Sequence, residues 1–295
     1  MNNLLVFQSD FGLKDGAVSA MEGVSFGVDK NLNIRHLTHD ITPFNVFEAS
    51  YRLYQTINYW PEGTVFVCII DPGVGSDRLS IVAKTTTGQY VVTPNNGTLT
   101  HVNEFVGIES VRQIDESINR LKGSSESYTF HGRDVYAYTG ARLASNTITF
   151  EEVGPEISLD KIETLELSGS HVEGNCVKGE IDILDVRFGS LWTSITIEDF
   201  KKAGFKYDDT ADVQIFNNNK CVYEADILYG HSFADVKVGA PVIYMNSVNH
   251  MAVAINQGNF ANAHGIGVGN NWLITFTKKW KKKNKNEKNL IFLMI

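Results

Sequence analysis

The pattern of this 295-residue chain changes character at Gly154-Pro155, and no other feature limits its possible folds as much. Before that point, short β-branched runs alternate with longer stretches of helical period, as in a sheet covered by helices. Leu4 to Gln8, Ile34 to Leu37, Thr64 to Ile70, Leu79 to Thr85 and Tyr90 to Val92 read as strands. Asp15 to Val28, Val46 to Trp60 and about Arg133 to Leu143 read as helices, the second with apolar residues at Val46, Phe47, Tyr51, Leu53, Tyr54 and Ile57. After it, closely spaced strands follow one another between Gly and Asn turns: Asp182 to Val186, Leu191 to Ile195, Asp212 to Phe216, Cys221 to Asp226, Val242 to Met245, Met251 to Ile255 and Trp272 to Phe276. Only a short helix near Glu198 to Ala203 interrupts them. The expectation is an α/β first domain, a central mixed sheet flanked by helices, over residues 1–165. A smaller all-β, barrel-like domain over 166–277 and a lysine-rich tail over 278–295 follow it.

A chain with 43% hydrophobic residues has enough apolar surface for a real core, and 6 prolines with balanced charge exclude a disordered or collagen-like chain. The net charge of −8, with no basic stripe across the body, gives no reason to expect a nucleic-acid partner. Cys68, Cys176 and Cys221 form no CxxC pair, which argues against a disulfide scaffold or a zinc knuckle. The N-terminus lacks a basic segment before its apolar run, and no stretch of about 18 apolar residues follows, so a reducing, cytoplasmic setting and no membrane partner are expected. The seven lysines between Lys278 and Lys288, and the hexamer Leu290 to Ile295 after them, read as a solvated terminal extension.

In open α/β sheets ligands bind beyond the carboxyl ends of the strands, and here those ends are polar. They carry Ser9-Asp10-Phe11-Gly12, Thr38-His39-Asp40, Asp71-Pro72-Gly73-Val74-Gly75 with Arg78, and Pro94-Asn95-Asn96-Gly97; Phe130-His131-Gly132-Arg133-Asp134 joins the set. Each has a structural alternative: an Asp can cap a helix, Asn-Gly is a common turn, and a histidine can be half-buried without binding anything. Neither GxxxxGK[ST] nor GxGxxG after a strand occurs, so phosphate cradling lacks support.

Two chemistries remain open. A divalent-metal hydrolase could draw on Asp10, His36, His39, Asp40, Asp71 and His131, although His36 and His39, three apart where a strand runs into a turn, need not share a face. Alternatively, Asp71, Arg78 and His131 could act on a water without metal. Arginine, with a pKa above about 12, can hold a water but not deprotonate it, while histidine near about 6.5 can take the proton and a carboxylate can orient either partner. A third reading is a non-catalytic ligand-binding module.

These motifs, in this order and with Phe188-Gly189-Ser190-Leu191-Trp192-Thr193 after them, resemble the S-adenosyl-L-methionine hydroxide adenosyltransferase family, relatives of the fluorinase and chlorinase, over roughly Leu4 to Phe276. The resemblance implies hydrolysis of S-adenosylmethionine to adenosine and L-methionine by hydroxide attacking the ribose 5′ carbon, with no cofactor and no metal. It also implies a homotrimer whose sites combine the first domain of one subunit with the second domain of its neighbour.

By the same resemblance, Asp71, Arg78 and His131 stand at the water-activating positions, Asp10 at the ribose carboxylate and Phe44 at an aromatic wall of the ribose pocket. Asp185 and Ser247 match the methionine end, Phe188 and Ser190 the adenine, and Asp15, Gly132 and Asn256 complete the substrate-binding set. Ser190 and Ser194 replace asparagines of the family pattern, so adenine recognition is expected to be rearranged or to use the backbone near Asn256. Halogenating relatives lose the triad and the fluorinase carries a long insertion. Here the triad is present, the corresponding turn is only Thr86-Thr87-Gly88, and Val248 stands where the fluorinase has arginine, so hydroxide is the expected nucleophile.

Overall fold

The computed structural model describes residues 2–279 except Ser127. The chain divides into two compact units between Glu166 and Leu167.

The first unit is built on a seven-stranded mixed sheet. In chain order its strands are β1 (Leu4–Ser9), β2 (Asn33–Thr38), β3 (Val65–Ile69), β4 (Ser80–Thr85), β5 (Tyr90–Pro94), β6 (Ile108–Gln113) and β7 (Glu156–Ile157), arranged β2-β1-β3-β5-β4-β6-β7. The β2-β1-β3-β5 half is parallel and the remaining pairings are antiparallel. Side chains alternate across a strand, so Leu5, Phe7, Val65, Val67 and Ile69 face one side. Val6, Phe66 and Cys68 face the other.

Helix α1 (Ala17–Val28) and α4 (Tyr138–Ala144) cover the first face, and α2 (Val46–Ile57) and α3 (Thr100–Phe105) cover the second. Burial on both faces is why β3 reads as the unbroken run Val-Phe-Val-Cys-Ile. Gly140 lets α4 approach closely, because a Cβ there would run into Val67. The Asn45 side chain accepts from the Glu48 amide (3.0 Å) and starts α2.

The second unit is a closed barrel. It contains β8 (His171–Glu173), β9 (Cys176–Leu184), β10 (Leu191–Thr196), β11 (Thr210–Asn217), β12 (Lys220–Tyr229), β13 (Pro241–Met245), β14 (His250–Ile255) and β15 (Trp272–Lys278). The order β10-β14-β13-β12-β11-β15-β9 closes through a β9–β10 pairing, and β8 adds to β9 from outside. Alternate residues of β9 and β11, among them Val177, Ile181, Val213 and Ile215, fill the interior with Phe200, Phe260 and Phe276. Helix α5 (Ile197–Lys202) is capped by Thr196, and α6 (Phe260–His264) ends on Gly265 at φ +64°.

Several boundaries differ from the sequence reading. The helix expected from Arg133 begins as a π-helical segment, Gly132–Ala137, that runs on into α4. Strand β9 starts six residues before Asp182 and stops at Leu184, because the Asp185 carbonyl accepts from Gly189 N (2.7 Å) and turns the chain out of the strand. Its early part was hidden by Gly179, where a Cβ would meet Ser194 and Ile195 of the neighbouring strand. Short α3, β6, β7, β8 and α6 were not anticipated. Lys278, assigned to the tail from sequence, closes β15 and pairs with Asp209 (2.7 Å), while residues 280–295 of that tail lie outside the described residues. Among the described residues no helix is long and apolar enough to cross a membrane.

Candidate active site

The carboxyl ends of β1 and β3 open onto a cavity of about 290 Å³ in the first unit, lined by Asp10, Phe11, Pro43, Phe44, Ile69, Asp71, Val74, Thr129, Phe130, His131 and Gly132. Two chain features shape it. The loop after β3 folds back through Gly75 at φ +81°, with Ser76 Oγ donating to the Gly73 carbonyl (2.7 Å), which returns Arg78 to face Asp71. Gly132 opens the π-helical segment so near the strand that a Cβ there would stand 3.2–3.3 Å from Phe130, Ile69 and Phe11.

The three residues singled out for water activation do come together. Arg78 grips Asp71 with two hydrogen bonds, Nε to Oδ1 (2.6 Å) and Nη2 to Oδ2, and both side chains are largely buried. The same Nη2 lies 3.4 Å from His131 Nδ1. Behind the pair, Arg78 Nη1 reaches Ser80 Oγ (3.4 Å), which also meets the buried Tyr136 hydroxyl (3.1 Å), and the guanidinium lies over the Tyr136 ring. Burial works against the Arg78 charge, but the hydrogen bond to Asp71 together with the nearby Tyr136, Asp71 and Glu116 outweighs it and the guanidinium is held above its ordinary pKa.

His131 is only 5% exposed, and burial pushes its pKa below the ordinary histidine value, so it is neutral at neutral pH. Its Nε2 is buried with no hydrogen-bond partner among the described residues. A guanidinium has no lone pair to offer. The nitrogen facing it, Nδ1, therefore carries the lone pair of the neutral ring, and Nε2 carries the hydrogen.

Asp10 and Phe44 also meet: Asp10 Oδ2 accepts from the Phe44 amide (2.8 Å), holding that residue at φ +67° with its ring 72% exposed at the cavity. Asp15 is not among the lining residues; it is exposed and accepts from Ala17 N (2.9 Å) at the start of α1. Asn95 and Asn96 are structural. Asn96 Nδ2 donates to the Ile70 carbonyl (2.8 Å) beside Asp71, and Asn95 bonds the backbone of Lys161 and Glu163. Phe11, Pro43, Ile69, Val74, Thr129 and Phe130 were not given roles from sequence, although most flank a quoted motif.

The metal reading required Asp10, His36, His39, Asp71 and His131 to share a centre; Asp10, Asp71 and His131 line the cavity, but His36 and His39 do not. His36 and His39, whose spacing left open whether they share a face, lie side by side, but they bond to each other (2.7 Å) and are not among the cavity residues. Among the described residues no group of three or more His, Cys, Asp or Glu side chains is arranged to hold a metal ion.

In the barrel unit, Asp185, Phe188 and Ser190 share the loop between β9 and β10, with Phe188 exposed and Ser190 buried. The Tyr244 hydroxyl accepts from Trp192 Nε1 (3.1 Å). Ser247 is exposed in the turn between β13 and β14. At Asn256 the N–H donates to Ala240 O (3.0 Å), the carbonyl accepts from Gly239 N (2.8 Å) and Nδ2 donates to Val236 O (2.9 Å).

Comparison with known proteins agrees with this arrangement. The profile of the SAM hydroxide adenosyltransferase N-terminal domain matches residues 5–154, and that of the C-terminal domain matches residues 179–273. An (R)-S-adenosyl-L-methionine hydrolase of Methanocaldococcus jannaschii is 36% identical over 74% of this chain and 75% of its own. A fluorinase of Actinoplanes sp. is 28% identical over 94% of this chain and 98% of its own. The crystal structure of a conserved protein from Thermotoga maritima superimposes with a TM-score of 0.84 at 32% identity, covering 93% of this chain and 100% of that one. With both domain profiles matched in order, one in each compact unit, the chain belongs to the SAM hydroxide adenosyltransferase family.

Proposed function

We propose that the protein hydrolyses S-adenosyl-L-methionine to adenosine and L-methionine. The observation that carries this reading is His131: a buried, neutral imidazole on the wall of a cavity, its basic nitrogen turned toward an arginine that Asp71 holds in place.

A water on the edge shared by Arg78 and His131 accepts from Nη2 and donates to Nδ1. As its proton passes to Nδ1, the developing hydroxide is stabilised by the guanidinium. The oxygen forms a bond to the ribose 5′ carbon while the carbon–sulfur bond breaks. That electron pair returns to sulfur, so the sulfonium leaves as the neutral thioether of methionine and needs no general acid. The proton on His131 is then released to solvent. Alignment of nucleophile and leaving group supplies much of the acceleration, which is why both ends of the substrate must be held.

Within the same proposal Asp10 binds the ribose hydroxyls, Phe44 and Gly132 wall the ribose, and Asp15 stands at the rim. Asp185 and Ser247 hold the methionine end, and Phe188 and Ser190 pack and bond the adenine. S-adenosylmethionine is the substrate and no cofactor takes part. The assembly proposed is a homotrimer, supported by apolar side chains left uncovered at the cavity (Phe44, Val74) and on the β9–β10 loop (Val186, Phe188). A cytoplasmic location fits the three free thiols.

The test is incubation of purified protein with S-adenosylmethionine and chromatography of the products. Equal amounts of adenosine and methionine are expected. Ligand retained for hours with no methionine released would replace the enzyme with a binding module.

A further inference from the structure

His36 and His39, drawn from the sequence as metal ligands, belong to a hydrogen-bonded line that enters the protein from helix α1 and ends beneath Asp10. Glu22 Oε1 on α1 meets His36 Nε2 (2.9 Å) at a half-exposed position. His36 Nδ1 meets His39 Nε2 (2.7 Å), and His39 Nδ1 meets Ser9 Oγ (2.7 Å), with His39 and Ser9 buried. Ser9 Oγ in turn accepts from the Phe11 amide (3.3 Å), and the His39 carbonyl accepts from Gly12 N (2.8 Å). Both ends of the Ser9–Gly12 turn are thereby tied to this line, and that turn carries Asp10 and Phe11 into the cavity.

With a neutral His36 ring the protons in the line have one order. A carboxylate only accepts, so His36 Nε2 carries hydrogen and, in a neutral ring, Nδ1 accepts. His39 Nε2 must then donate to it, which leaves His39 Nδ1 as the acceptor of the Ser9 hydroxyl proton. The Ser9 lone pairs are left facing the Phe11 N–H. Burial, with the neighbouring His36 adding to it, lowers the His39 pKa to about 4, so that ring is neutral as the order demands. Asp40 is the other charge acting on His39, but its N–H bonds Thr38 Oγ1 and it stands outside the line.

We infer that Glu22, His36, His39 and Ser9 are positioning residues that fix the Ser9–Gly12 turn, and with it the Asp10 carboxylate, through this ordered chain of hydrogen bonds. The kinetic part rests on the proposed function, whereas the proton order does not.

Two measurements separate them. Nitrogen-15 NMR of the imidazoles, without substrate, should report His39 as a neutral ring at neutral pH, hydrogen-bonded at both nitrogens. A charged His39, or a His39 nitrogen free of hydrogen bonding, would overturn the inference whatever the protein does to substrate. Steady-state kinetics then test positioning. Glu22→Ala, at a half-exposed site that touches no substrate, is expected to raise KM about three- to tenfold with kcat within about twofold. Glu22→Gln, which keeps an acceptor for His36, should restore most of the KM. His39→Asn preserves an acceptor for Ser9 and His39→Gln preserves the donor toward His36, so Asn should disturb KM less than Gln. Unchanged KM in Glu22→Ala, or equal losses in the Ala and Gln variants, would reduce the chain to fold maintenance. If wild-type protein released no adenosine while the NMR result for His39 stood as expected, the proposed function alone would fail. Adenosine affinity would then replace KM in the same comparison.

Discussion

Replacing His131 with alanine separates proton transfer from binding. Removing a general base costs about 10²- to 10⁴-fold in rate, or about 2.7–5.4 kcal/mol of transition-state stabilisation. The fold should tolerate the change. Asp71 and Arg78 keep both mutual hydrogen bonds, so no charge is stranded, and the imidazole removed carries a buried Nε2 with no partner among the described residues. The stability loss should therefore stay at about 1–2 kcal/mol, chiefly from the space vacated. The assay is adenosine release against pH, with a melting curve alongside. In the wild type, activity falls as pH drops through the lowered pKa of His131, because protonation fills the nitrogen that accepts from water, and it is level above that point. In His131→Ala that limb should vanish and kcat should fall with KM nearly unchanged. A KM increase matching the kcat loss, or an acid limb that survives the substitution, would refute the assignment of His131 as base.

Other consequences are testable in the same way. Asp71→Asn leaves Arg78 buried without its counter-charge and should destabilise by about 3–5 kcal/mol in denaturant unfolding while abolishing turnover. Asp10→Ala should mainly weaken adenosine binding in calorimetry, through lost ribose contacts and the released Phe44 amide; intact affinity would place the ribose elsewhere. Gly132→Ala should lower stability by about 1–3 kcal/mol, since Phe130, Ile69 and Phe11 already crowd that position. His39 binds its proton less readily folded, at about 4, than unfolded at about 6.5, so stability present above pH 6.5 should fall by up to about 3 kcal/mol as pH drops through 4, and His39→Gln should flatten that slope. Turnover should survive exhaustive chelation; loss that added metal restores would revive the metal reading.

Much of the first unit was readable because its strands announce themselves: the run Val65 to Ile70 is buried on both faces, and each polar motif follows a strand end where a parallel sheet places its ligands. Asp71, Arg78 and His131 could be grouped by that rule and by family resemblance, yet their contact depends on Gly75 turning the loop back and on the π-helical start at Gly132, which periodicity does not encode. Whether His36 and His39 share a face was left open for a related reason. They flank a register shift where β1 pairs with β2, so strand alternation does not hold across them and the rings meet. Glu22 was invisible, since nothing in a helix sequence says which strand its side chain will reach.

The most direct measurement is single-turnover reaction with S-adenosylmethionine in oxygen-18 water, with and without chloride, followed by mass analysis of the nucleoside. Adenosine bearing one heavy oxygen at the 5′ position, in equal yield whether or not chloride is present, is the expected result. Unlabelled adenosine, or a 5′-chloro nucleoside in its place, would contradict attack by an activated water at that carbon.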